Sequence, residues 1–234
     1  MTARIGLVGG MTPESTLGYY RLLIRSARER RRDPDPLRNP VVIVYSLDLA
    51  DVVALQRTDR IDELAAHLAG ICESLRAAGA EVGALTANTP HLYFEAVQAR
   101  TRLPLVSIVE ATCSAALRLG LRRPLLLGTR TTMESPMYRE RLAADGIEVL
   151  IPDEAGREQV DRVIYTELAL GTVRPEVRQQ VLASCREAID GNGADGVILG
   201  CTELPLVVSE ADLPVPVLDT VRVHVEAILD RAMA

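Results

Sequence analysis

The sequence carries an internal repeat, and that repeat limits the folds open to it more than any other feature. Gly79-Ala80-Glu81 followed by VGALTANT matches Gly193-Ala194-Asp195 followed by GVILGCTE, an offset of 114 residues that sets Ala87 opposite Cys201. In the same order, IGLVGGMTPES near the start resembles LLLGTRTTMES at 125–135, and LPLVSI at 103–108 resembles LPVPVL at 213–218. Halves that share this much pattern fold as two lobes of one plan. The 234 residues give each lobe about 110, enough to bury its own core.

Within each half, short apolar runs alternate with longer amphipathic ones, the mark of βα units around a parallel sheet. The pattern predicts strands near 4–9, 41–47, 82–87, 104–108, 124–128, 147–151, 196–200 and 215–218. Helices are predicted between them at about 14–31, 58–78, 91–100, 110–119, 134–144, 156–170, 175–191 and 221–232. Thr58 or Asp59 is the expected cap of the second helix, Gly79 its end, and Asp219 or Thr220 the cap of the last. The fold class is α/β: two pseudo-twofold-related lobes, each a parallel sheet of about four strands flanked by helices. Residues 1–113 form the N-terminal lobe and 114–218 the C-terminal lobe, with the final helix, 219–234, packing back on the first. Such sheets bind ligands beyond the carboxyl ends of their strands, so the expected active site is a cleft between the lobes.

Composition removes several function classes. Net charge is −6, and all 26 basic residues are arginines. That balance argues against a nucleic-acid partner, and aromatics at 3% leave little for base stacking. The one basic cluster, Arg25 to Arg32, ends a helical pattern, where cations suit the dipole. Without lysine the chain has no amine for an imine intermediate. No apolar run approaches the roughly 18 residues of a membrane span, and the start enters a strand without a signal peptide, so the expected setting is the cytoplasm. Cys72, Cys113, Cys185 and Cys201 show no CxxC pair and read as free thiols.

Four strand-end segments carry the residues with chemistry: Gly9-Gly10-Met11-Thr12, Ala87-Asn88-Thr89, Gly128-Thr129-Arg130-Thr131-Thr132 and Gly200-Cys201-Thr202-Glu203. Backbone N–H groups at helix starts, helped by Thr and Asn side chains, suit a small carboxylate; plain packing turns use the same glycines. Cys201 is the reactive candidate, since a helix start after a strand would stabilise its thiolate. The other three cysteines lie in helical stretches and read as buried small hydrophobes. GLVGGM lacks the spacing of a dinucleotide fingerprint, and no His/Cys/Asp cluster has metal-ligand spacing. Neither a cofactor nor a metal is expected.

The segments GLVGGMTPEST, ANTPH, LLGTRTTMES and ILGCTELP resemble, in order, the signature segments of the aspartate/glutamate racemase superfamily, over residues 4 to 230. The resemblance implies a cofactor-independent isomerase with one cysteine per lobe flanking the α-carbon of an amino acid. One thiolate removes the α-proton and the opposite thiol returns a proton to the other face. The second family cysteine matches Cys201 and the first matches Ala87, a methyl group that can neither take nor give a proton.

Asn88, Thr89 and Thr202 resemble the family's α-carboxylate contacts, with Thr12 and Thr129 nearby, and Met11 and Thr131 complete the expected substrate-binding set. Arg60 falls where related aspartate racemases hold the side-chain carboxylate, with Gln56 secondary; as a helix-start surface arginine it has a plain alternative. Ala169 stands where some aspartate racemases have Lys, and Arg130 is a candidate replacement. His91 orients a loop or lines the cleft, and Glu203 tunes the thiol or caps a helix. The resemblance implies a dicarboxylic amino acid as the small-molecule partner, no membrane or nucleic-acid partner, and a homodimer. The function expected is racemisation of aspartate or glutamate in a form lacking one thiol, whether natural or through a Cys-to-Ala change. The alternatives are a natural one-thiol decarboxylase of the arylmalonate decarboxylase type and an inactive binder of acidic metabolites.

Overall fold

The computed structural model describes residues 2–30, 37–58 and 60–234. The chain divides into two compact units, Met1–Ser107 with His224–Ala234, and Ile108–Val223.

In the first unit, β1 (Ile5–Gly9), β2 (Val42–Ser46), β3 (Val82–Leu85) and β4 (Leu105–Val106) form one parallel sheet in the order β2-β1-β3-β4. Every residue of β1 and β3 is buried, as near-continuous apolar runs require when helices cover both faces of a parallel sheet. Helix α1 (Pro13–Glu29) buries Tyr19, Leu23 and Ala27, spaced four apart on one stripe. Thr12 starts α1 by accepting the N–H of Ser15 at 3.2 Å, with Pro13 in the first turn. Helix α3 (Ile61–Ala77) buries Leu64, Leu68, Cys72 and Leu75.

The segment between β2 and α3 departs from the expected pattern. A short helix, α2 (Leu49–Arg57), forms there because Asp48 accepts the N–H of Ala50 at 2.9 Å. Thr58 ends α2 rather than starting α3, donating its hydroxyl to the Ala54 carbonyl. Arg60 precedes α3 without a side-chain cap. Asp59, the other expected cap, lies outside the described residues, as do Arg31 and Arg32 of the basic cluster. The expected helix at 91–100 begins as a 3-10 turn, Thr89–Tyr93, before α4 (Phe94–Gln98).

The second unit repeats the plan. Following α5 (Ile108–Arg118), strands β5 (Leu125–Leu127), β6 (Val197–Leu199) and β7 (Val217–Asp219) pair in parallel in the order β5-β6-β7. The strand expected at 147–151 is reduced to a single parallel bridge between Leu150 and Leu125, since Pro152 follows and cannot donate to a ladder. It occupies the place of β2, so both units share one strand order. Successive side chains take opposite faces. Leu125, Leu127, Val197, Leu199 and Val217 share a cluster with α8 (Glu154–Thr166) and α9 (Pro175–Asn192). Leu126, Ile198 and Leu218 pack with α5 and with α7 (Pro136–Ala143). The sequence pattern missed α6 (Arg130–Glu134), five residues started by Thr129.

Helix α10 (Thr220–Met233) is capped by Asp219, which accepts the N–H groups of Val221 and Arg222. Its second half belongs to the first unit, where Arg30 pairs with Glu226 and Asp230 and His224 is fully buried. His224 Nε2 lies 2.8 Å from the Val106 carbonyl, which only accepts, so Nε2 carries the proton and Nδ1 accepts the Tyr19 hydroxyl at 2.8 Å. His91 stands edge-on to His224 and stacks on Phe94. Burial pushes the His224 imidazole down to about 4. Burial first, and then the neighbouring His224, push His91 to about 3.

Free imidazole titrates near 6.5, so between these limits the unfolded chain binds more protons than the folded one. The stability these residues contribute is present above about pH 6.5 and is lost as pH falls through about 4 and then 3. NMR titration of the imidazole carbons is expected to show both rings neutral at pH 5; a midpoint near 6.5 for either ring would sink this account.

Candidate active site

In the first unit, the carboxyl ends of β1 and β3 are adjacent, with Val8 opposite Leu85. Gly10 turns the chain there at φ +89°, where a Cβ would lie 2.3 Å from the Leu47 carbonyl oxygen, so only glycine fits. The hydroxyls of this rim are largely engaged. Thr12 caps α1, Ser15 donates to the Thr86 carbonyl at 2.7 Å, and Thr86 donates to the Val8 carbonyl at 3.0 Å. Thr86 is therefore turned away from the loop, as strand alternation requires.

Ala87 is partly buried against the cluster that holds Met11, Val8 and Leu85. Asn88 is buried, Thr89 half-buried. His91 Nδ1 donates to the Ala87 carbonyl at 2.8 Å, so of its two expected roles the structure shows the orienting one. Met11, Thr12, Ala87, Asn88 and Thr89 thus gather at one rim.

Gln56 is half-buried on α2. The guanidinium of Arg60, expected to meet a ligand carboxylate, instead makes a forked pair with Glu63, its Nε donating at 2.6 Å. That pair is exposed, and exposed pairs of this kind are weak and screened by salt.

In the second unit, β5 and β6 end together, and Gly200 donates its N–H to the Leu127 carbonyl. Thr129 and Thr132 are buried and bonded to each other, Oγ1 to Oγ1 at 3.1 Å. Thr131 is exposed and Thr132 buried, since the short helix turns the one outward and the other inward. The N–H of Arg130 is already held by Asp161 of α8, at 2.6 Å. The Arg130 side chain pairs with Glu134 at 3.1 Å and Glu154 at 2.7 Å, so it does not stand in for the lysine absent at Ala169.

Cys201 is 8% exposed. Its Sγ donates to Glu203 Oε2 at 3.0 Å, and the Thr202 hydroxyl donates to the same oxygen at 2.6 Å. Thr202, expected to face a ligand carboxylate, thus faces a protein one. The expected lowering of the thiol's pKa is overturned: burial, then the charge of Glu203 and its hydrogen bond, raise it well above the usual range. The physical reason is local. After β6 comes no α-helix but a three-residue 3-10 turn, Leu204–Leu206, too short for the dipole effect, and the nearest charge is negative. Burial likewise pushes Cys72, Cys113 and Cys185 up to about 12. Sequence reasoning missed Asp161, which has no local signature because it lies 31 residues from Arg130. Among the described residues no group of three or more His, Cys, Asp or Glu is placed to hold a metal ion, and no helix is long and apolar enough to cross a membrane.

Two parallel α/β units of one strand order, each presenting small polar residues at its strand ends, define a class of two-lobed α/β enzymes. Comparison with known proteins narrows it. Residues 8–228 match the Asp/Glu/hydantoin racemase family. The broad specificity amino-acid racemase RacX of Bacillus subtilis is 25% identical over 225 residues, 92% of each chain. A crystal structure from Yersinia pestis, assigned as an Asp/Glu racemase, superposes with TM-score 0.90 at 37% identity, covering 99% of this chain and 100% of that one. An aspartate racemase homologue from Pyrococcus horikoshii gives 0.88 at 36%, with the same coverage. The chain belongs to the Asp/Glu/hydantoin racemase family, and with it to the isomerases.

Because Glu203 holds the thiol in its protonated form, Glu203→Gln is expected to lower the Cys201 pKa. Alkylation of Cys201 at pH 8, followed by mass spectrometry, should then run on the order of tenfold faster, as one pKa unit gives. An unchanged or slower rate would remove Glu203 from control of the thiol.

Proposed function

We propose that this protein moves a proton at the α-carbon of an acidic amino acid, with Cys201 as the working group of the second unit and no partner group at position 87. The observation that carries this reading is the buried contact between Cys201 Sγ and Glu203 Oε2 at 3.0 Å. A thiol beside a carboxylate serves in both directions. As acid, Cys201 gives its proton to the α-carbanion and the thiolate is reprotonated from water. As base, it first passes its proton to Glu203, and the thiolate then takes the α-proton. General acid–base transfer needs no more than a positioned group within hydrogen-bond reach.

The equivalent position in the repeat, Ala87, follows the strand corresponding to β6 and is held by His91. Its methyl group leaves that side without an acid or base. The residues that present polar atoms at the strand ends are, within the first unit, Thr12, Asn88 and Thr89, and within the second, Thr129 beside the Cys201 strand end. Arg60 reaches a ligand carboxylate by releasing Glu63, an exchange that a weak exposed pair permits. The family relation and the broad-specificity racemase among its relatives support a racemase ancestry. No cofactor enters this scheme.

A second reading is favoured by one observation, the protonated state imposed on Cys201. A lone acid suffices when the carbanion is made by decarboxylation: a disubstituted malonate loses carbon dioxide, and the remaining carbanion takes the Cys201 proton.

Ala87→Cys is expected to raise racemisation of aspartate or glutamate by about a hundredfold or more, and Cys201→Ala in that background to abolish it, since paired groups act as a unit. Polarimetry or chiral chromatography reads the rate. The protein as it stands is expected to exchange the α-proton of one enantiomer with deuterated water without inversion. A restored pair inert on every acidic amino acid, with carbon dioxide released from a disubstituted malonate, would replace the first reading by the second.

A further inference from the structure

Strand β2 is the outer strand of the first sheet and pairs with β1 on one side only. The bonds at its two ends use odd-numbered residues: Ile5 N–H to the Val41 carbonyl, and Leu47 N–H to the Gly9 carbonyl. A parallel ladder alternates, so the main-chain N–H and C=O groups of Val42, Val44 and Ser46 point away from β1. Among the described residues no other bond reaches them. Residues 41–46, VVIVYS, hold no charge and no proline. The second unit treats the equivalent edge differently. There the strand is reduced to one bridge at Leu150, Glu148 pairs with Arg123, and Pro152 follows. A short strand, a charge and a proline are the usual protections of a sheet edge, and β2 has none of them.

Apolar side chains line this edge on both faces. Ile43 packs in the cluster of α3, so Val41 and Tyr45 share its face and Val44 takes the opposite one. That opposite face is the one on which Gly9 meets Thr16 of α1. Along α1, Leu17, Tyr20, Ile24 and Arg28 follow one flank at spacings of three and four. Arg28 Nε donates at 3.1 Å to Asn39, just before β2, while Tyr19 and Arg30 turn to α10, so this flank runs beside the free edge. Leu17, Tyr20, Val41, Val44 and Tyr45 are each between 42% and 56% exposed. Half-exposed side chains of this size leave on the order of 400 Å² of apolar surface, about half of the roughly 800 Å² that each partner buries in a standard interface. The edge backbone and the polar rim lie on the same side and add to it.

The charges beside this surface suit a second copy. Helix α1 runs opposite to β2: the turn at Gly10 packs on Leu47, and Arg28 meets Asn39. At about 1.5 Å per helical residue and about 3.3 Å per strand residue, Leu17 is level with Val44. Glu14 and Arg21 are exposed on either side of Leu17, and among the described residues neither forms an ion pair. A two-fold axis at Val44, perpendicular to the sheet, reverses α1 and brings Glu14 of each copy level with Arg21 of the other.

We propose that β2 pairs antiparallel with β2 of a second copy of this chain, with Val44 on the axis and Val42 opposite Ser46, joining two four-stranded sheets into one. Leu17 and Tyr20 meet their counterparts over Val44, and pairs of Glu14 with Arg21 close the rim. The assignment is independent of the chemistry at Cys201.

Sedimentation equilibrium at micromolar concentrations is the test. The unaltered chain is expected to sediment as a dimer. Val44→Arg sets two like charges together at the axis but stands in solvent on a single copy, so this variant is expected to be a monomer with an unchanged circular dichroism spectrum. Glu14→Arg is expected to weaken the dimer about tenfold, since symmetry turns two exposed pairs repulsive at once. Arg21→Glu in that background is expected to restore it, and recovery through a second substitution cannot come from damage to the fold. A dimer that survives Val44→Arg, or that shows no such rescue, would overturn the assignment. A monomeric unaltered chain would overturn it as well, and would leave the edge to a strand of another protein.

Discussion

The structure depends on what happens where parallel strands stop. Both faces of each sheet are covered by helices, so the rim at the carboxyl ends is where backbone groups leave the ladder with the chain still tightly packed. At Gly10 the main chain passes so close to Leu47 that no side chain fits. At Gly200 an added Cβ would lie 2.9 Å from the Leu127 carbonyl oxygen. These approaches let each strand turn at once toward its next element, and they also decide which side chains remain at the rim. Ser15, Thr86 and Thr132 are drawn inward to satisfy the turns, while Ala87 and Cys201, two residues beyond buried strand positions, keep the face set by the strand before them.

Much of this was legible because it rests on period. The short continuous apolar runs of β1, β3, β5 and β6 and the four-residue spacing in α1 and α3 are local signals, and the repeat placed Ala87 and Cys201 at equivalent turns without any knowledge of packing. The roles of the polar residues were less legible because they depend on partners distant in sequence. Arg130 looked like a spare cation until Glu154 and Asp161 came up beside it from α8. Arg60 illustrates the opposite case: its partner, Glu63, is three residues away in the sequence, and the i,i+3 spacing was available to be read. The strand at 147–151 shrank to a bridge for a reason also present locally, Pro152.

The sign of the Cys201 shift is the clearest instance of two local rules in competition. A strand end before a helix lowers a thiol's pKa only if several aligned peptide units follow. The sequence Glu203-Leu204-Pro205 supplies instead an acid two residues away and a turn of three residues. With the dipole missing, burial and the carboxylate prevail, and both favour the neutral thiol.

That outcome is compatible with proton transfer, because charge is conserved within the pair. Whether the proton sits on Sγ or on Oε2, Cys201 and Glu203 together hold one proton and one negative charge, so exchange between them does not add a charge to a buried site. The Thr202 hydroxyl donates to the same Glu203 oxygen, so thiol and hydroxyl share one acceptor. In the proposed scheme the thiol is the resting acid, and acting as a base requires its proton to pass first to Oε2, across an Sγ–Oε2 separation of 3.0 Å. The proposed chemistry therefore turns on the passage of one proton between Cys201 and Glu203.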